Sequence, residues 1–380
     1  MNLERSAPTS GPEPVDATAG RDRWLDLLRA GSLSVVVLWH WVFTIIRWAP
    51  DGPHATNPIG TTRGLWLATW FLQVMPVFFA VGGAVHARSL VKEPRWAEFV
   101  GRRLAALLPG ALVLAGLALA LHRAFAIVGE PPQWLARALI LVLSPLWFLA
   151  VYSLLIVLAP LAWQLHKRFD YLVPIVLGGL AMTVDVARFS WDMAWVEWLN
   201  WVFVWALIHQ VGFHWDKLTA APRRFAWTLT WIGGFALLGL TNMNFYPRSA
   251  VGVPGERFSN LGPPTIVIVA LACFQFGVVT LIRERALALT EGGWLGRASR
   301  WITTNAQSLY LGHAFAYAAV YVAVTELFGR PGTDTTWRWW LTRPFWFVAP
   351  ALVFAAGFRL TRMYRRRPAR ARVAAPALDA

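Results

Sequence analysis

The sequence predicts an all-α polytopic integral membrane protein of about ten transmembrane helices, with both termini cytoplasmic, and three observations predict it. The 380-residue chain is 57% hydrophobic, with a mean hydropathy of +0.47, and only 14% of its residues are charged. A soluble protein carries about 25% charge, so this chain lacks the polar surface to face water on all sides. Apolar segments of bilayer length recur from end to end. Twenty-four tryptophans fit the same reading, because indole rings favour the headgroup region.

The elements follow in order. Residues 1–20 are rich in Ser, Thr, Pro, Gly and acidic side chains and read as a disordered polar tail. They lack the apolar core of a signal peptide, so no cleavage is expected. The ten-helix domain is expected over 21–365, and 366–380 as a basic, flexible cytoplasmic tail. Segment one, 24–46, is about 23 residues or roughly 34 Å long as a helix. Segment two, 66–88, contains Pro76-Val-Phe-Phe-Ala-Val-Gly-Gly83, whose paired glycines read as close helix packing rather than phosphate cradling. Segment three, 100–127, opens on Arg102 and Arg103, next to Arg88, Lys92 and Arg95. Segment four, 140–165, has the least definite start, with Trp134 to Ile140 expected as a short interfacial turn before Ser144-Pro145. Segments five to seven are 170–189, 196–214 and 225–243. Segment eight, 263–283, begins after Ser259-Asn-Leu-Gly-Pro-Pro-Thr265, where Ser259 or Asn260 sits near the cap and the prolines suit a helix start. Two readings of that loop stay open: it sets the path into the helix, or its polar groups also face an acceptor. Segments nine and ten are 303–325 and 341–361. No internal repeat and no separate soluble domain is apparent.

Charge gives the orientation. With the N-terminus cytoplasmic, the cytoplasmic side carries 24 Lys/Arg and the opposite side 10, from Arg47 to Arg343, while Arg29 lies inside segment one. That asymmetry in short loops is a positive-inside signal with both termini inside, and a multi-pass protein of the plasma membrane is expected. The formal charge of +15 therefore reads as anchoring against anionic membrane lipid, not as nucleic-acid binding.

The candidate chemistry begins with Arg29 and His40. Eleven residues are close to three turns, so both side chains share one helix face about 16 Å apart in depth. Ionisable groups within a membrane are costly and usually mark a functional cavity. Imidazole can take a proton from a hydroxyl, and a guanidinium binds phosphate or carboxylate by a planar fork. His40 could also be a satisfied structural histidine, and Arg29 could pair with Asp26 one turn earlier. Trp39 and Trp41 are candidate oxyanion donors through their indole N–H groups. Arg102 and Arg103 could bind donor phosphates or simply anchor the helix. His209, Gln210 and His313 lie within apolar segments and are candidates for lining the cavity. His54, His122, His166 and His214 fall in loops or at helix ends and receive no role. One cysteine, Cys273, excludes an internal disulfide, and the scattered histidines lack zinc or di-iron spacing, so no metal is expected. No Gly-x-Ser-x-Gly elbow, phosphate loop or dinucleotide fingerprint occurs.

Several motifs together resemble the membrane acyltransferase-3 family. Leu25-Asp-Leu-Leu-Arg29 followed by His40 is similar to its Arg-x10-His signature. In the family's order follow Met75-Pro-Val-Phe-Phe79 with Gly82-Gly83, Arg102-Arg103-Leu with Pro109, Leu146-Trp-Phe-Leu149 with Tyr152, and Tyr310-Leu-Gly-His313. His209-Gln-x-Gly212 and Asn260-x-x-Pro-Pro-Thr265 resemble features of an actinobacterial-type branch. The resemblance spans roughly residues 20 to 365. It implies transfer of an acyl group, often acetyl, from acyl-CoA to a hydroxyl of a glycan, lipid or secondary metabolite, with no resident cofactor. Its functional pair carries over to Arg29 and His40. Its Arg-x-x-Arg pair would start at Arg103, but Ala106 stands at the second place, and Arg102 is the neighbouring guanidinium. Asn260, His209, Gln210, His313 and Trp147 become candidate substrate-binding residues. A transporter or flippase using Arg29 and His40 as substrate and proton sites is the alternative.

Overall fold

The computed structural model describes residues 22–92, 95–130, 132–243 and 245–366. The tails expected over 1–20 and 366–380 lie outside these residues, apart from Arg366. Helix α1 (Arg23–Val42) starts where Asp22 caps it, its carboxylate accepting the N–H groups of Trp24 at 2.8 Å and Leu25 at 3.2 Å. After α1 the chain turns into an antiparallel hairpin, β1 (Ile45–Ala49) and β2 (Gly52–Thr56), with Ile45 opposite Thr56. Helix α2 (Ala68–Leu72) leads into α3 (Met75–Lys92), and α4 (Trp96–Val128) runs back. Next come α5 (Gln133–Leu143), α6 (Leu146–Phe169), α7 (Leu172–Ser190), α8 (Asn200–Phe213), α9 (Trp215–Ala220) and α10 (Arg223–Asn242). The chain closes with α11 (Ile266–Leu289), α12 (Trp294–Thr304), α13 (Ala306–Phe328), α14 (Trp337–Leu341) and α15 (Arg343–Arg366).

The fold is all-α apart from the one hairpin, and each of the ten apolar segments falls on a helix. Among the described residues eight stretches are long and apolar enough to cross a membrane: Arg23–Val42, Leu65–Lys92, Trp96–Val128, Leu146–Phe169, Leu172–Ser190, Ile266–Leu289, Ala306–Phe328 and Trp337–Met363. The sixth and seventh segments fall outside that set. Helix α8 has 14 residues, about 21 Å, because a 3-10 turn over Ala194–Leu199 takes the start of its segment. Helix α10 opens on two arginines and carries three threonines. Two boundaries differ from expectation. Trp134 to Ile140 is no turn but most of α5, and the fourth segment begins at Leu146, after Ser144-Pro145. Segment one stops at Val42, because Ile45 and Ile46 belong to β1, where β-branched side chains fit a pleated strand.

Helices α3, α8 and α11 form the centre, where Phe79, Val204, Trp205, Ile208, Ile268 and Leu271 are fully buried. Backbone contact fixes α3 against α8. A Cβ on Gly83 would lie 2.0 Å from the His209 carbonyl oxygen, and one on Gly212 would lie 2.0 Å from that of Ala80. Gly82-Gly83 is therefore a packing element, as the small-residue rule for membrane helices requires. The opposite case is α4, which exposes Leu112, Val113, Leu117, Leu119 and Ile127 and buries only Phe99 and Ala118. It presents an apolar outer face to lipid.

At the hairpin end, a buried carboxylate ties three elements together. Asp185 of α7 accepts from Asn200 Nδ2, the Tyr246 hydroxyl and the Ile266 N–H, each at 2.9 Å. The last of these is a free amide of the first turn of α11. Burial and the adjacent Asp185 push the Tyr246 phenol above its ordinary value, so it stays a donor.

Candidate active site

Two adjoining chambers lie along α1. The first, with a volume of about 190 Å³, is lined by Trp39 and His40 of α1, Gln73 before α3, Trp147 of α6, and Val251 and Leu261 from the 245–265 loop. The second, about 270 Å³, is lined by Arg29 of α1, Arg103 and Ala106 of α4, Tyr152 of α6 and Gln307 of α13. Val36, Met75, Phe148 and Tyr310 line both and form the apolar wall where the two chambers meet. Arg29 and His40 thus occupy separate chambers on one face of one helix. Tyr310 is held in that wall by a hydrogen bond from its hydroxyl to the Pro145 carbonyl.

His40 is oriented by its own helix. Its Nδ1 lies 2.8 Å from the Val36 carbonyl oxygen, which can only accept, so Nδ1 carries the proton and Nε2 keeps its lone pair. The fully buried His313 ring lies behind it, with ring centres 5.0 Å apart. His313 Nδ1 donates to the Tyr310 carbonyl, while its Nε2 has no hydrogen-bond partner among the described residues. The Trp41 indole N–H donates to the His313 carbonyl at 2.9 Å and so is not free for an oxyanion, whereas Trp39 lines the His40 chamber. Trp147 also lines that chamber, its ring edge-on to Trp201. Gln73 adds a donor that the sequence did not single out. Its Oε1 accepts the Met75 N–H at 3.0 Å, which leaves its NH2 group to donate elsewhere.

In the second chamber Arg29 is half-buried, with Nη1 4.0 Å from Asp26 Oδ1. That separation fits an ion pair that orients the guanidinium rather than a tight hydrogen bond. Arg103 donates to the Ser89 hydroxyl and stacks over Phe99, 4.8 Å from the ring centre. Arg102, next to it, is exposed and lines neither chamber. Arg88 belongs to another structure, bridging Asp22 at 2.9 Å and Asp216 at 2.7 Å.

A buried polar pair adjoins this chamber. His86 Nδ1 and His209 Nε2 are 2.9 Å apart, and the Tyr152 hydroxyl lies 3.4 Å from His86 Nε2. His209 lines neither chamber, and His86 and Tyr152 link it to the second one. His86 is a residue that the sequence reading passed over, although an ionisable side chain within an apolar segment was the available signal. Gln210 is buried beside it, both amide atoms without hydrogen-bond partners among the described residues, and lines neither chamber. Asn260 is fully buried within the 245–265 loop. Its Nδ2 donates to the carbonyls of Pro247 and Ser249, and its Oδ1 accepts from Thr265. It shapes the loop, whose Val251 and Leu261 reach the His40 chamber.

Fold and site together define an integral membrane protein with paired chambers, one cationic and one presenting an imidazole lone pair. The family comparison agrees: the acyltransferase domain family matches residues 22–362, and the chain belongs to that family. It is a membrane acyltransferase. Comparison with curated proteins and with solved structures returns no match.

Proposed function

We propose that the protein is a plasma-membrane O-acyltransferase that moves an acetyl or other short acyl group from acyl-CoA to a hydroxyl of a glycan, lipid or secondary metabolite. The observation that carries this reading is the pairing of chambers: His40 with a free Nε2 in one, Arg29 and Arg103 in the other, one shared wall between. The phosphate-bearing end of the donor stays at the cytoplasmic mouth, near Arg29 and Arg103, where guanidinium groups meet phosphate. A chamber of about 270 Å³ suits the slender thioester arm and leaves the nucleotide outside. His209-Gln210 and the Asn260 loop support the actinobacterial-type branch.

His40 Nε2 accepts the proton of the acceptor hydroxyl as the oxygen attacks the thioester carbonyl. The tetrahedral oxyanion takes a hydrogen bond from Gln73 Nε2, with the Trp39 indole as a second donor. Collapse breaks the C–S bond, and the imidazolium returns its proton to the leaving thiolate. The products are an ester and coenzyme A thiol, so atoms and charge balance without an added cofactor.

The test is thiol release from acetyl-CoA and longer acyl-CoAs by purified protein, with lipid and glycan extracts as acceptors. His40→Ala is expected to lower release by at least about a hundredfold while the protein stays folded. Wild-type turnover in a folded His40→Ala protein would overturn the mechanism. No release with any donor from folded wild type would point instead to transport or to another donor.

A further inference from the structure

Away from both chambers, the end of α6 and the α8–α9 junction bring together three side chains that acyl transfer does not use. His166 and Asp170 are four residues apart where α6 ends, with Asp170 as its C-terminal cap. His214 joins α8 to α9 and is buried. One ligand atom from each of the three lies within 4.8 Å of the others.

We propose that His166, Asp170 and His214 form a binding site for a divalent transition-metal ion of the zinc class. A tetrahedral zinc ion with bonds of about 2.0–2.1 Å needs ligand atoms about 3.4 Å apart. His214 Nδ1 and Asp170 Oδ1 are already 3.5 Å apart. The group therefore has to close by at most about 1.4 Å at its widest, from 4.8 Å to about 3.4 Å, within the reach of side-chain rotation at a helix end.

An independent observation points the same way. Both nitrogens of buried His214, and Nδ1 of His166, lack hydrogen-bond partners among the described residues. Buried polar nitrogens without partners cost free energy, and a cation would satisfy them. The surroundings hold the ligands in place. Tyr171 stacks on the His214 ring with centres 4.4 Å apart, and the His166 and His214 rings meet edge to face at 4.5 Å. Lys217 takes only the outer oxygen of the carboxylate, its Nζ 3.3 Å from Asp170 Oδ2. That leaves Oδ1 to the metal and fixes the carboxylate's orientation, as outer groups do around metal ligands.

Two imidazoles and one carboxylate suit zinc better than magnesium or calcium, which prefer all-oxygen shells. Bound there, the ion would clamp α6, whose other end lines both chambers, to the segment that carries His209. The clamp is structural, and it does not depend on the acyl-transfer reading.

The test uses the full-length protein in detergent, stripped with a chelator, then dialysed against micromolar zinc chloride. Wild type is expected to retain about one zinc ion per chain and to melt at a temperature that rises with free zinc. His166→Gln with His214→Gln is expected to weaken zinc binding at least tenfold and to remove the zinc-dependent shift. Asp170→Asn, at a half-exposed position, gives a second variant should the double one fail to fold, with the same direction expected. Cobalt(II) added to wild type should give the visible absorption of a four-coordinate ion. Less than a tenth of an equivalent of zinc on folded wild type would overturn the proposal, as would binding that both variants leave unchanged.

Discussion

At His40 the tautomer is decided by a carbonyl on the preceding turn. The Val36 oxygen accepts from Nδ1, so a neutral ring keeps its lone pair on Nε2, and no partner carboxylate is needed to choose the tautomer. Gln73 works in the same way, because the Met75 N–H holds its oxygen and thereby turns its NH2. Gln73→Met keeps the side chain's length but removes the donor. It is expected to lower kcat by about a hundredfold with little change in KM, the signature of an interaction made only in the transition state. Equal rates for wild type and variant in steady-state thiol release would assign the oxyanion to Trp39 alone. Arg29, His40 and Trp147 could be singled out in the sequence because each stands out in an apolar segment or a motif, and each of the three lines one of the two chambers. Gln73 was not legible, because a glutamine just ahead of a helix gives no sign of which atom its neighbours will claim.

Among the elements, the hairpin and α5 act as one unit. A Cβ on Gly52, at φ 120°, would lie 3.0 Å from the Trp134 Cα, so strand and helix touch through backbone. Asp51 at the turn joins them, accepting from His54 at 2.7 Å and from Arg137 of α5. The His54 hydrogen bond, helped by Arg137, holds the Asp51 carboxyl below its usual range. A depressed carboxylate pKa adds stability above the unfolded value of about 3.9 and loses it as pH falls through the folded value. Hydrogen exchange in the hairpin is therefore expected to quicken as pH falls below about 4 in wild type, measured relative to the intrinsic rate, and much less in Asp51→Asn. An identical pH response in the two proteins would show that the ion pair does not fasten the hairpin. The ten apolar segments were readable because hydrophobic length is a local property. The ends of α1 and α6 were misjudged, because Ile45-Ile46 and Trp134–Ile140 are as apolar as the helices beside them, and only tertiary contact tells strand and separate helix from span.

For the molecule as a whole, glycine contacts set the spacing of the central helices. Gly212→Ala places a methyl group 2.0 Å from the Ala80 oxygen, and is expected to destabilise the protein by about 1–3 kcal/mol or more. Gly101→Ala, in α4 with open space around its Cβ position, is expected to shift stability the other way by up to about 1 kcal/mol. Thermal unfolding of both variants in detergent checks the pair, and melting temperatures that move together would refute the assignment. The same scale explains what the sequence hid. His86 meets His209 across 123 positions, and His166 meets His214 across two helices and a turn. No spacing rule reaches that far, so histidines that look scattered along the chain become neighbours only through packing. The wall of Val36, Met75, Phe148 and Tyr310 carries a further consequence. Three of these side chains offer water no strong partner, and the hydroxyl of the fourth already donates its hydrogen bond to the Pro145 carbonyl. A file of water from Arg29 to His40 would have almost nothing to hold it there. If the proposed reaction holds, the thioester would have to slide between these four side chains to meet His40, and an apolar sleeve around it would give protons no water path from one chamber to the other.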